Sequence, residues 1–144
     1  MVSEPDRWSL HPQLARDTLL AGDLPLCQVR LMNDANFPWL LLVPRRQNAI
    51  EITDLTETDQ TQLMRETAQT ARALKASTAC DKINVAAIGN LVSQLHLHVV
   101  ARFRSDAAWP KPVWGFAPAR AYQDPAREQF VIALRRQLNL ASQG

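Results

Sequence analysis

Cysteine is scarce in this chain: there are only two, Cys27 and Cys80, and no CxxC spacing. A disulfide framework and a zinc knuckle are both excluded on that count, and each thiol reads as a small buried apolar residue. Glycine is scarce too; four residues are few for an all-β protein built on many tight turns. Long apolar runs are missing. The longest, Phe37 to Val43, contains a proline and is far too short to span a bilayer. Charge of one sign is also missing, since 16 Lys and Arg face 14 Asp and Glu for a net +2. Neither a nucleic-acid partner nor a membrane is expected from such a balance. The N-terminus shows no basic region followed by an apolar stretch, so no secretory signal is expected and the cytoplasm is the default location.

What remains is an ordinary globular composition, 47% hydrophobic and 21% charged over 144 residues. That length suits one domain and can bury roughly two-thirds of the unfolded surface. The expectation is a single domain over 1–144, with its core at about 25–104 and a C-terminal extension at 105–144.

Cys27 to Met32 reads as a strand and Asn33-Asp34-Ala35-Asn36 as a turn, because Asn and Asp bond their own backbone. Trp39 to Val43, closed by Pro44, is a continuous apolar run of strand length, so the two strands predict an antiparallel hairpin. A short helix is expected from Pro12 to about Leu20. The clearest helix starts after Thr56, which with Asp59 resembles a capping box. Leu63, Met64, Thr67, Ala68, Ala71 and Leu74 recur at helical spacing, and no Gly or Pro interrupts 57–80. Met32 and Met64 read as core. Ile83 to Ala87 predicts a strand, Gly89-Asn90 a turn and Leu95 to Phe103 the best strand of all. Asp124-Pro125 opens a last helix. Between them, 104–122 is irregular, and Trp109 and Trp114 imply that it packs on something.

The chemistry concentrates in Gln94-Leu95-His96-Leu97-His98-Val99-Val100. On a strand Leu95, Leu97 and Val99 face one way, and Gln94, His96 and His98 the other. Neighbours at that spacing lie roughly 6–7 Å apart, close enough for one phosphate to touch both imidazoles. One imidazole can attack while another protonates or donates. Two plainer readings stand beside it: a pair of surface histidines, or half of a zinc or iron site.

This heptad resembles the signature of the histidine triad superfamily, His-φ-His-φ-His-φ-φ, with Gln in place of the first His. Asn33-Asp34 before an apolar strand ending Val43-Pro44-Arg45, the long helix, Asn84, Gly89-Asn90 and Arg102 fall in the family's order. The resemblance implies an α+β fold, with an antiparallel sheet of about five strands, one long helix and a C-terminal helix. It also implies a homodimer that acts on nucleoside phosphate derivatives, either dinucleoside polyphosphates or nucleoside phosphoramidates.

In that scheme His96 is the nucleophile of a nucleotidyl-histidine intermediate. His98 binds the scissile phosphate and assists proton transfer, and Gln94 fills the first triad position. Asn33 or Asp34 holds the ribose. Asn84, Gly89, Asn90 and Arg102 contact substrate. No metal is required, although magnesium would accompany a polyphosphate. Gln94 keeps a donor and an acceptor but cannot titrate, and Leu91 stands where many relatives carry a hydroxyl. A non-catalytic nucleotide-binding module and a metal-dependent His-x-His enzyme are the alternatives.

Overall fold

The computed structural model describes residues 7–140. The first six residues, on which the expectation about a leader largely rests, lie outside it. Five antiparallel strands form one sheet in the order β1-β2-β3-β5-β4. In chain order these are β1 (Thr18–Asp23), β2 (Cys27–Met32), β3 (Trp39–Pro44), β4 (Lys82–Ala86) and β5 (Leu97–Arg102). Helix α1 (Pro12–Asp17) precedes the sheet, α2 (Glu57–Thr78) links β3 to β4, and α3 (Asp124–Leu138) closes the chain. This is the α+β architecture that the resemblance implies.

Both faces of the central strands are buried, which accounts for the apolar run in β3. Leu40 and Leu42 point with Leu97, Val99 and Ala101 toward Leu63 and Leu74 of α2 and Leu134 and Leu138 of α3. Each aliphatic side chain fully removed from water contributes about 1.5–3 kcal/mol. Trp39, Leu41 and Val43 point the other way with Val100, against Leu14 of α1 and Ala108 and Val113 of the irregular segment.

Helix α2 begins where Thr56 Oγ1 accepts the Asp59 N–H at 3.1 Å. Only half of a capping box forms, because the Asp59 carboxylate is taken by Arg46 at 2.7 and 3.1 Å. The buried stripe of α2 also differs from the expected one. Met64 is 65% exposed, and Glu66 and Thr70 are buried in its stead. Glu66 is held there because its two oxygens accept the Leu26 and Cys27 N–H groups, each at 2.8 Å, and Gln62 Nε2 at 2.7 Å. A fully bonded buried carboxylate of this kind pins the helix to the start of β2.

Two boundaries differ from expectation. The N-terminal helix stops at Asp17, and 18–23 is the edge strand β1. Thr18 is extended, its hydroxyl donates to Leu14 O at 2.6 Å, and the hydroxyl oxygen, Thr18 Oγ1, accepts Arg30 Nε from β2 at 2.6 Å. Pairing with β2 therefore overrides the local helical pattern. The histidine strand starts at Leu97 rather than Leu95, since the Leu95 N–H donates to Ala49 O at 2.9 Å, outside the sheet. Cys27 and Cys80 are free and buried.

Candidate functional site

Strand β5, which carries His98, and the residue just before it, His96, bring the two histidines together beneath the irregular segment. His98 lies opposite Leu41 of β3 and Ala86 of β4. The His96 and His98 rings sit 5.0 Å apart, centroid to centroid. Each residue is only 6% exposed, so they are the floor of a cleft and not a surface pair. Trp39 and Trp114 wall His98 at 5.6 and 5.3 Å. The cavity above them has a volume of about 420 Å³ and is also lined by Leu14, Asp17, Met32, Gly89 and Asn90.

The polar geometry separates the two nitrogens of His96. Its Nδ1 lies 2.7 Å from the Gln94 carbonyl oxygen. A carbonyl only accepts, so Nδ1 carries a proton, and in the neutral form of the ring the free lone pair is on Nε2. His98 receives a different partner, the Trp39 Nε1–H, which donates to its Nδ1 at 2.9 Å. Burial pushes the His98 imidazole down to about 4, and the neighbouring His96 charge pushes the same way.

The other sequence-predicted residues divide into those at this cleft and those turned to other tasks. Gly89 and Asn90 line it; Gly89 has φ +61°, and a Cβ there would meet Val92 O at 3.1 Å. The Gln94 side chain is turned to the N-terminal segment, where Oε1 accepts the His11 N–H at 2.8 Å and Nε2 donates to Ser9 O at 2.9 Å. The expected row of three side chains is therefore two, because the Gln94 amide is taken by the N-terminal segment; Gln94 and His96 both precede β5.

Asn33 Oδ1 accepts the Tyr122 N–H at 3.0 Å. Asp34 is buried, its Oδ1 accepting the N–H groups of Asn36 and Arg120 at 3.0 and 3.2 Å. Both anchor the segment before α3, and neither is among the residues that line the cleft.

Asn84 and Arg102 are placed together elsewhere. Arg102 is 1% exposed, donating to Asn84 Oδ1 at 2.9 Å and to both Asp106 oxygens at 2.9 and 3.1 Å. Its guanidinium also lies over the rings of Phe37 and Trp109. Burial works to raise the Asp106 carboxyl. The Arg102 hydrogen bond, the Phe103 and Trp109 N–H groups and the Arg102 charge outweigh it and hold the group below its usual range.

Three residues of the cleft escaped sequence reading. Asp17 was hidden inside a helical pattern. Trp39 read as part of an apolar run, and Trp114 read as packing without a partner. Among the described residues, no group of three or more His, Cys, Asp or Glu is placed to hold a metal ion. No described helix is long and apolar enough to cross a membrane.

An antiparallel sheet carrying paired histidines beside a long helix defines the class, and comparison with known proteins gives the family. A model of the HIT domain matches residues 14–105. The crystal structure of a histidine triad protein from Bradyrhizobium japonicum is 55% identical, with a TM-score of 0.90, over 91% of this chain and 98% of that one. A histidine triad protein from Sinorhizobium meliloti is 43% identical, with a TM-score of 0.90, over 92% and 98% of the two chains. One from Marinobacter aquaeolei is 41% identical at the same TM-score, over 93% and 98%. No curated protein matches the chain significantly. This chain belongs to the histidine triad (HIT) family.

Proposed function

We propose that the protein is a nucleotidyl hydrolase or transferase working through His96. One observation carries this reading: the His96 ring, which lines the cleft, turns its Nδ1–H to the Gln94 carbonyl, so that in the neutral ring Nε2 holds the lone pair. A neutral imidazole with a free lone pair is a competent nucleophile, and the carbonyl stabilises the charge that it gains on attack.

The Nε2 of His96 forms a bond to the α-phosphorus, and the bond to the leaving group breaks. The leaving group takes its proton from water at the open mouth of the cleft. Water then attacks the adduct, releases the nucleoside monophosphate and restores His96. His98 and the backbone N–H groups of Gly89 and Asn90 contact the phosphate oxygens. Asp17, which lines the cleft, takes the ribose hydroxyls in place of Asn33 and Asp34. Arg102 holds Asp106 and Asn84, and neither Asn84 nor Arg102 touches substrate, since neither lines the cleft.

No Lys or Arg lines this cleft among the described residues, and Asp17 adds a negative charge. Charge of that sign favours a neutral or cationic leaving group over a polyphosphate. Nucleoside phosphoramidates are therefore the preferred substrates. Dinucleoside polyphosphates come second, with magnesium entering only as their counterion. AMP release from an adenosine phosphoramidate and from a diadenosine polyphosphate tests the order. A higher kcat/KM for the phosphoramidate supports it, and the reverse order overturns it.

A homodimer joined along β4 belongs to the same reading. Among the described residues that strand pairs only with β5, and Val85 on it is 48% exposed. An edge of this kind is a template for a second sheet. Light scattering reads the mass, and a monomer at micromolar concentration contradicts the dimer.

Gln94 is the observation that favours a second reading, a nucleotide-binding module without turnover, because an amide cannot exchange a proton. Nucleotide binding with no AMP release from either substrate supports that alternative.

A further inference from the structure

We infer that Trp39 is a positioning residue that locks His98 as a permanent hydrogen-bond donor, so that His98 holds phosphate and takes no part in proton exchange. The inference deepens the nucleotidyl-transfer reading and rests on it for the identity of the phosphate.

The argument starts from what an indole can do. The Trp39 Nε1–H is a donor with no acceptor capacity, and it lies 2.9 Å from His98 Nδ1. The His98 nitrogen facing it must therefore be a bare lone pair. In a neutral imidazole that leaves the proton on Nε2. Protonating Nδ1 as well would place two N–H groups head to head in a site where Trp39 and His98 are 7% and 6% exposed. The Trp39 N–H has nowhere else on His98 to donate, so the imidazolium form is disfavoured by geometry as well as by burial.

Packing leaves the ring no alternative. His98 is held between Trp39 and Trp114, with ring centroids at 5.6 and 5.3 Å. Turning the ring over would put Cδ2 where Nδ1 stands and break the Trp39 hydrogen bond. The titratable groups facing His98 across the cleft are His96 and Asp17.

The two histidines thus have opposite polarities fixed by different partners. The Gln94 carbonyl fixes a proton on His96 Nδ1 and leaves Nε2 free to attack. Trp39 fixes a lone pair on His98 Nδ1 and leaves Nε2–H free to donate. The entry to β5 thereby holds an attacking nitrogen and, two residues on, a donor suited to a phosphate oxygen. A donor held in place before substrate arrives needs no reorganisation during the reaction, which is how such groups lower a barrier. The arrangement also makes the titratable first position dispensable for setting the state of His98, since Trp39 sets it instead.

The test reads the tautomer directly. A long-range proton–nitrogen correlation spectrum of the substrate-free protein at pH 7.5 is expected to show His98 with a protonated Nε2 and a bare, hydrogen-bonded Nδ1. Trp39→Phe keeps an aromatic ring and removes the donor. It is expected to give His98 a mixture of tautomers, with kcat reduced about tenfold and KM little changed, the size expected of one misplaced donor. His98 found as the Nδ1–H tautomer in the wild type overturns the inference, and so does a folded Trp39→Phe protein with unchanged spectrum and rate. The wild-type spectrum stands even if the variant fails to fold. It needs no substrate, so a failure to find any nucleotidyl transfer is told apart from a failure of the lock.

Discussion

His96, just before β5, and Arg102, at its end, differ in fate; one is left reactive and the other is neutralised, and their partners decide which. His96 meets a carbonyl, which accepts a proton but supplies no charge, so one nitrogen stays nucleophilic. Arg102 meets Asp106 at 2.9 Å, with the two side chains 2% and 8% exposed, and becomes structural. Asp106 in turn accepts the N–H groups of Phe103, Ala108 and Trp109, so the pair organises the turn that leaves the sheet. Arg102→Ala strands a buried carboxylate and is expected to cost about 3 kcal/mol, the usual penalty for breaking a buried pair from one side. Urea unfolding checks this. A loss near zero would contradict the structural role of the pair.

At the scale of elements, the position before β5 acts on the far end of the chain. Gln94 binds Ser9 and His11 through both ends of its amide. His11 caps α1 by accepting the Gln13 N–H at 3.0 Å, and α1 carries Leu14 and Asp17 to the cleft. Gln94→Ala is therefore expected to raise KM several-fold with kcat nearly unchanged, measured by steady-state AMP release. A large fall in kcat at constant KM would instead give Gln94 a place in the chemistry.

Elements with their own local signal were legible in the sequence: the capped α2, the apolar β3 and the alternating residues of β5. Edge strand β1 was not, because Thr18 to Asp23 follows a true helix start and is extended only through its pairing with β2. The cleft was half legible. His96 and His98 stand out by spacing, while Asp17, Trp39 and Trp114 reach it through tertiary packing. Asn33 and Asp34 read as ribose ligands by order along the chain, but the C-terminal segment claims their oxygens, and no local pattern announces that contact.

Over the whole molecule, burying a neutral imidazole couples folding to pH. His98 falls from an ordinary 6.5 to about 4 on folding. Between those values the unfolded chain binds the extra proton, so stability is full above pH 6.5 and is lost as pH falls toward 4. The lost contribution is on the order of 3 kcal/mol. Asp106, held low by Arg102 and backbone N–H groups, adds a further loss below the ordinary carboxylate range. The urea midpoint is expected to drop between pH 7 and pH 5, and His98→Gln is expected to flatten that slope. An equal slope in both proteins would place the acid sensitivity elsewhere.

The central claim, that this cleft transfers a nucleotidyl group through His96, is tested most directly by intact-mass analysis after mixing with an adenosine phosphoramidate. The quench must be non-acidic, because the phosphorus–imidazole bond is acid-labile. An adenylyl adduct on the wild-type protein that is absent from His96→Ala is the predicted result. The absence of any adduct and of AMP release, with nucleotide still bound, would contradict it and leave a binding module.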